Sequence, residues 1–342
     1  MISRIMLYGV AGVLLLAQEP PKAPPPAPVK QEGASIRVQV NEVIVPVTVT
    51  DERGRFVSNL EKQDFQILDD GVVQNINYFS AERLQPVVIG FLIDLSNANR
   101  LHWDKFQTEA IELVDTLLPG DPKYSGYLIG YNSTADLLVD TTSDPEKIVA
   151  KIRTLKPAGG SALNDALYIA CTNRKLIKGE PIEPRRVVII IGDGHDNASK
   201  RSLGEVLELA QRNLITVFGI STTVYGFTSE DTDNLIKLAE ETGGRVEYPM
   251  QGVYKDVQGY ISTPKDEGNY EIQPGTGGYQ ALISSSIFQS IANIAGEITT
   301  QYILRYIPAG VDSQKVFRPI NVKVALPNVK VRARKGYYPN AP

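Results

Sequence analysis

Two continuous apolar runs constrain this chain more than any other feature: Val87-Val88-Ile89-Gly90-Phe91-Leu92-Ile93 and Val187-Val188-Ile189-Ile190-Ile191. A strand that is apolar at every position must be buried on both faces, which is the condition of a parallel sheet covered by helices on either side. Helix-period and strand-period segments alternate around the two runs, as such a sheet requires. Helices are expected over Trp103 to Leu118, Pro145 to Leu155, Ala162 to Leu176, Leu203 to Asn213, Asp231 to Thr242 and Ser285 to Thr300. Further strands are expected over Tyr124 to Tyr131, Leu137 to Asp140, Ile215 to Ile220 and Val246 to Pro249. The fold class is therefore α/β, a doubly wound and mostly parallel sheet spanning residues 86–299.

Both flanks carry a different pattern. Ile36, Val38, Val40, Val43, Val45, Val47 and Val49 alternate, as do Tyr302 to Tyr306, Ile320 to Val324 and Val329 to Ala333. Period-two apolarity with β-branched residues marks strands with one buried face. Phe65 to Leu68 and Val72 to Phe79 add two more strands, divided by the Asp69-Asp70-Gly71 turn. Neither flank has strands enough to close a core alone. Residues 34–85 and 300–338 are accordingly expected to pair into one small immunoglobulin-like β-sandwich into which the α/β domain is inserted.

Three short motifs fall where strands of the sheet should end: Asp94-Leu95-Ser96, Gly159-Gly160-Ser161 and Gly192-Asp193-Gly194. Open α/β sheets bind ligands outside the carboxyl ends of their strands. Carboxylates and hydroxyls gathered there read as an oxygen-only metal cup. The motifs resemble those of von Willebrand factor type A (VWA) domains with their metal-ion-dependent adhesion site (MIDAS), whose pattern is Asp-x-Ser-x-Ser, then Thr, then Asp. Residue by residue, the resemblance assigns Asp94, Ser96, Ser161 in place of Thr, and Asp193 as metal ligands. Ala98 stands where the family has its second serine, so one ligand hydroxyl is missing. Asn97, Asn99 or water is left to supply that oxygen. The ligand set suits Mg²⁺ (or Mn²⁺ or Ca²⁺), because hydroxyls and one or two carboxylates leave a hard cation under-neutralised. Such a cation takes a partner's Asp or Glu as its last ligand, so the resemblance implies protein binding or cell adhesion rather than bond-making chemistry; the alternative is a vestigial cup in a metal-free interaction scaffold of the cell envelope that acts through its β-sandwich or its Tyr-rich insert.

Taken singly, the same residues have plainer readings. Ser161 is a natural N-cap for the helix that follows it, Asp193-Gly194 is an ordinary turn, and Asp94 caps the next segment. Their order after the right strands is what favours the cup. Gly192-Asp193-Gly194-His195-Asp196 also resembles the late motif of haloacid-dehalogenase phosphatases. In that family the first strand ends in Asp-x-Asp, whereas Ser96 here leaves no general acid. Of the two histidines, His102 and His195, neither sits in a nucleophile motif, and His195 is expected at the rim. No catalytic residue is assigned, and the chain is expected not to be an enzyme.

Residues 1–17 combine Arg4 with an apolar stretch from Ile5 to Ala17, the length of a secretory signal peptide rather than a membrane span. Residues 18–33 form a Pro-rich linker that favours an extended conformation. Export to the periplasm, cell envelope or exterior is the expectation, with the membrane touched only through an uncleaved leader. The single cysteine, Cys171, excludes an intrachain disulfide and reads as buried filler. A net charge of -4 with dispersed Lys and Arg argues against nucleic acid as partner.

Residues 250–283 contain Tyr254, Tyr260, Tyr270 and Tyr279 with several glycines, a composition like that of adaptable binding loops. The insert follows a strand whose carboxyl end opens beside the cup, and it is expected to shape partner choice. Finally, Val45 to Asp51, Asp64 to Gly71 and the ending Val331 to Tyr338 resemble the exported VWFA-related proteins known chiefly from acidobacterial genomes. That resemblance implies fold and localisation more than activity.

Overall fold

The computed structural model describes residues 42–81, 86–176, 184–223, 230–250, 277–309 and 317–339. The two apolar runs become β5 (Val87–Asp94) and β8 (Arg185–Gly192), neighbours at the centre of a six-stranded sheet. Every residue of β5 is buried, which is why none of its positions is spent on a polar face. The strand order is β10 (Val246–Glu247), β9 (Ile215–Ser221), β8, β5, β6 (Tyr124–Tyr131), β7 (Ala135–Thr142). All pairings are parallel except that of β7, which returns antiparallel along β6 as a partly exposed edge.

Helices α1 (Trp103–Leu117), α2 (Pro145–Ile152) and α6 (Gly277–Thr300) cover one face of the sheet. The other face is covered by α3 (Leu163–Thr172), α4 (Leu203–Arg212) and α5 (Glu230–Thr242). The α/β reading of the alternation is thus realised as a mixed, mostly parallel sheet with two cores. The helix expected to run from Ala162 to Leu176 stops at Thr172, where Asn173 turns extended, and Arg174–Leu176 forms a separate 3-10 turn. The helix expected to begin at Ser285 begins at Gly277 instead.

Both flanks contribute strands to two four-stranded sheets. In one, β1 (Val43–Asp51) lies between β11 (Tyr302–Tyr306) and β13 (Val329–Ala333), and β4 (Ile76–Ser80) borders β11. In the other, β2 (Phe65–Asp69) lies between β3 (Val72–Gln74) and β12 (Arg318–Val324), with β14 (Gly336–Tyr337) at the far edge. Val45, Val47, Phe65, Ile67, Leu304 and Tyr306 from the two sheets share one buried cluster.

The single strand expected from Val72 to Phe79 is corrected by these pairings. It breaks at Asn75, and its halves join different sheets, β3 beside β2 and β4 beside β11. Gln74 and Ile76 are both buried, so the inside-outside alternation continues through the corner and conceals it. The expected leader 1–17, the linker 18–33, the first strand around Ile36 to Val40 and residues 251–276 of the Tyr-rich insert lie outside the described residues. Among the described residues no helix is long and apolar enough to cross a membrane.

Candidate metal centre

Asp94 is the last residue of β5 and only 1% exposed. Its Oδ1 accepts the backbone N–H of Ser96 at 2.7 Å, a local turn that aims the strand end outward, while its backbone carbonyl accepts Asn99 Nδ2 at 3.3 Å. Its Oδ2 is buried without a hydrogen-bond partner. Ser96 is also buried, and its Oγ likewise has no partner. Asn97–His102 then forms a 3-10 helix that leaves Asn97 and Ala98 exposed and folds Asn99 back onto Asp94.

The second motif is stitched to the first through backbone bonds. Ala158 N–H donates to the Leu95 carbonyl at 2.6 Å, and Asn97 N–H donates to the Gly159 carbonyl at 3.1 Å. Ser161 is 1% exposed, and its hydroxyl donates to the His195 carbonyl at 2.7 Å. That bond uses the hydroxyl's proton and leaves its oxygen lone pairs available. Asn197 clamps Ser161 from the third loop: its Oδ1 accepts the Ser161 N–H at 2.9 Å, and its own N–H donates to the Ser161 carbonyl at 2.9 Å. In that same loop, half-buried Asp193 accepts the His195 N–H on Oδ1 at 2.9 Å.

The plainer reading of Ser161 is corrected here. The N-cap of α3 is Ala162, which has no side-chain cap. Asp196 does the capping from a distant loop, accepting Asn164 N–H at 2.7 Å as well as the N–H and O–H of Ser199. The Ser161 hydroxyl is therefore free of helix duty and points to the third motif instead.

Electrostatics fit a cation. Burial first, and the Asp193 carboxylate second, push Asp94 up to about 7. The negative charge of Asp193 adds to the cost of burying Asp94 as an anion, and a divalent ion there would relieve both. Buried polar atoms without partners are rare in folded proteins and need a cause. Here Asp94 Oδ2 and Ser96 Oγ are two such atoms, and both are hard oxygens of the kind Mg²⁺ prefers. Among the described residues no three His, Cys, Asp or Glu side chains stand together as a metal-binding group. The ligand set expected from the sequence has two carboxylates, Asp94 and Asp193, and its remaining donors are the hydroxyls of Ser96 and Ser161.

Local sequence patterns do not show the residues that surround these motifs: Tyr131, Asp196, Asn197 and Ser199. Tyr131 pairs with Asp94 in the β5–β6 register and is 1% exposed, with its hydroxyl unpartnered. Burial, followed by the charges of Asp94, Asp193 and Asp196, drives its phenol well above the usual range, so it stays protonated. Its signal in the sequence is a polar-tipped aromatic closing an apolar strand, recognisable only once the strand register is known.

Residues 89–253 match the von Willebrand factor type A domain. No curated protein sequence matches the chain. Similar solved structures include the conserved hypothetical protein BatB from Bacteroides thetaiotaomicron, at 18% identity over 52% of this chain and 97% of that one, with a TM-score of 0.36. An aerotolerance-related membrane protein from Bacteroides fragilis NCTC 9343 is similar at 16% identity over 52% of this chain and 98% of that one, TM-score 0.38. Proximal thread matrix protein 1 from the mussel byssus is similar at 15% identity over 61% of this chain and 48% of that one, TM-score 0.39.

Proposed function

Residues 89–253 form a von Willebrand factor type A domain, a general protein-interaction module, and from that premise we propose that this chain is an exported binding protein with a working but reduced MIDAS. The observation that carries the reading is the pair of buried, partnerless oxygens, Asp94 Oδ2 and Ser96 Oγ, at the carboxyl end of the central strand. Asp94, Ser96, Ser161 and Asp193 would hold Mg²⁺, Mn²⁺ or Ca²⁺. When bound, the ion supplies an electron-poor position that takes an Asp or Glu carboxylate of a protein partner.

The chain's own residues prepare that position. Asp94 and Ser96 are fixed by the turn between them, while Ser161 is fixed by Asn197 and the His195 carbonyl. Ala98 is exposed on the 3-10 helix and leaves its ligand position to solvent or to the neighbouring amides. A phosphatase reading fits these residues less well. Position 96 carries a hydroxyl where that chemistry needs an acid, and the Asp196 carboxylate is committed to the start of α3. In the same reading the two flanking sheets are an immunoglobulin-like sandwich, the chain is one of the exported VWFA-related proteins, and the Tyr-rich insert contributes to partner choice.

Calorimetric titration of the full chain with Mg²⁺ and Mn²⁺ tests the proposal. Binding is expected in the wild type, lost in Asp94→Ala and Asp193→Ala, and tighter in Ala98→Ser because an oxygen is restored. Equal binding by the wild type and both alanine variants would place the metal elsewhere and remove the reading.

A further inference from the structure

Tyr131 is the strongest unexplained group near the cup. Its ring runs from the end of β6 across Asp94 of β5 and stops against Gly192 of β8, crossing the neighbouring strands of the sheet. A Cβ on Gly192 would lie 2.5 Å from the Tyr131 hydroxyl, 2.8 Å from Asp94 Cβ and 3.1 Å from Asp94 Oδ2. A side chain at position 192 would therefore press on the phenol and on the carboxylate alike.

At that place a buried donor and a buried acceptor both stand without a partner. Tyr131 Oη and Asp94 Oδ2 are fully enclosed, and neither makes a hydrogen bond. A buried tyrosine hydroxyl ordinarily finds a partner, and leaving one unpaired carries a real energetic cost. Phenylalanine would fill the same space without that cost. The hydroxyl is thus suited to a state in which Asp94 is ionised and its free oxygen needs a donor.

We propose that Tyr131 is the positioning residue of the metal cup, its phenol O–H donating to Asp94 Oδ2 when the cation is bound and orienting that carboxylate toward the ligand position. The inference rests on the metal-dependent reading above. It adds a residue outside the ligand set, lying beneath the cup on a neighbouring strand. Groups that hold a metal ligand in this way matter to affinity although they never touch the ion.

Tyr131→Phe in the full chain is the test, read by Mg²⁺ and Mn²⁺ calorimetry together with thermal unfolding in EDTA and in saturating Mg²⁺. The variant keeps the ring and removes only the oxygen. Metal affinity should fall about tenfold or more, the usual consequence of losing an outer partner of a ligand. Metal-free stability should be unchanged or higher, so the metal-induced rise in Tm shrinks. Unchanged affinity in the variant would overturn the inference while leaving the metal site standing. An equal drop in Tm with and without metal would show a purely structural role and overturn it as well. Absence of metal binding by the wild type would remove the underlying reading, and this inference with it.

Discussion

Because its carboxyl is pushed up to about 7 by burial and by Asp193, Asp94 sets two opposite pH dependences. In the metal-free protein the folded state holds a proton that the unfolded state, with a pKa near 3.8, gives up. The raised value therefore contributes stability that is complete below about pH 4 and is lost as the pH rises through about 7, by at most about 1.4 kcal/mol per unit. A metal ion needs the ionised carboxylate, so its affinity moves the other way, rising up to about tenfold per pH unit below about 7 and levelling above. Thermal unfolding and Mg²⁺ titration from about pH 5 to about pH 8 would show the metal-free Tm falling while affinity rises. A pH-independent affinity would mean that Asp94 is not a ligand. At this scale the sequence was informative where chemistry is local. Asp94, Ser96, Ser161 and Asp193 stand out because each follows an expected strand end. Tyr131 does not, because its partner Asp94 is 37 positions away in sequence and beside it only through strand register.

The third loop and α3 form one element in function. Asp196 caps the first turn of α3, Asp165 of that turn accepts the Lys200 and Arg201 N–H groups, and Asn197 holds Ser161. Replacing Asp196 with Ala should cost about 1 kcal/mol through the lost cap. It should also weaken metal binding, because Ser161 then hangs from a looser loop. Paired urea denaturation and calorimetry would check both effects, and weakened stability with unchanged metal affinity would separate the helix from the cup. The plainer reading of Ser161 as the cap looks only to adjacent residues, whereas the group that caps α3 arrives from 32 positions downstream. The β3–β4 corner escaped for a related reason. Burial alternates from Val73 to Asn77 across the corner itself, and only the partners β2 and β11 reveal that the chain has changed sheets.

At the scale of the whole molecule, α6, which covers one face of the parallel sheet, is tied to the flanking sheets by a buried polar network around Glu297. This carboxylate, fully buried on α6, accepts Thr48 Oγ1 of β1 at 2.7 Å and Arg332 Nη2 of β13 at 2.6 Å, and Arg245 Nε lies 2.8 Å away. Thr48 in turn accepts Gln301 Nε2, and Gln301 accepts the buried Arg185 that opens β8. The network thus runs from the parallel sheet through α6 into strands of both flanks. No amphipathic pattern encodes it, since each member is a polar residue that local reading assigns to the surface. Glu297→Ala should lower stability by about 3 kcal/mol, because removing one member of a buried charge cluster strands the others. The network should also enforce a single unfolding transition. Trp103, the only tryptophan, is the buried first residue of α1 and reports the α/β core alone, whereas far-ultraviolet circular dichroism reports both portions. In the wild type the two signals should coincide in urea. In Glu297→Ala the flanking sheets should unfold first and the signals separate; if the midpoints fall together instead, the coupling between the portions resides in apolar packing and not in Glu297.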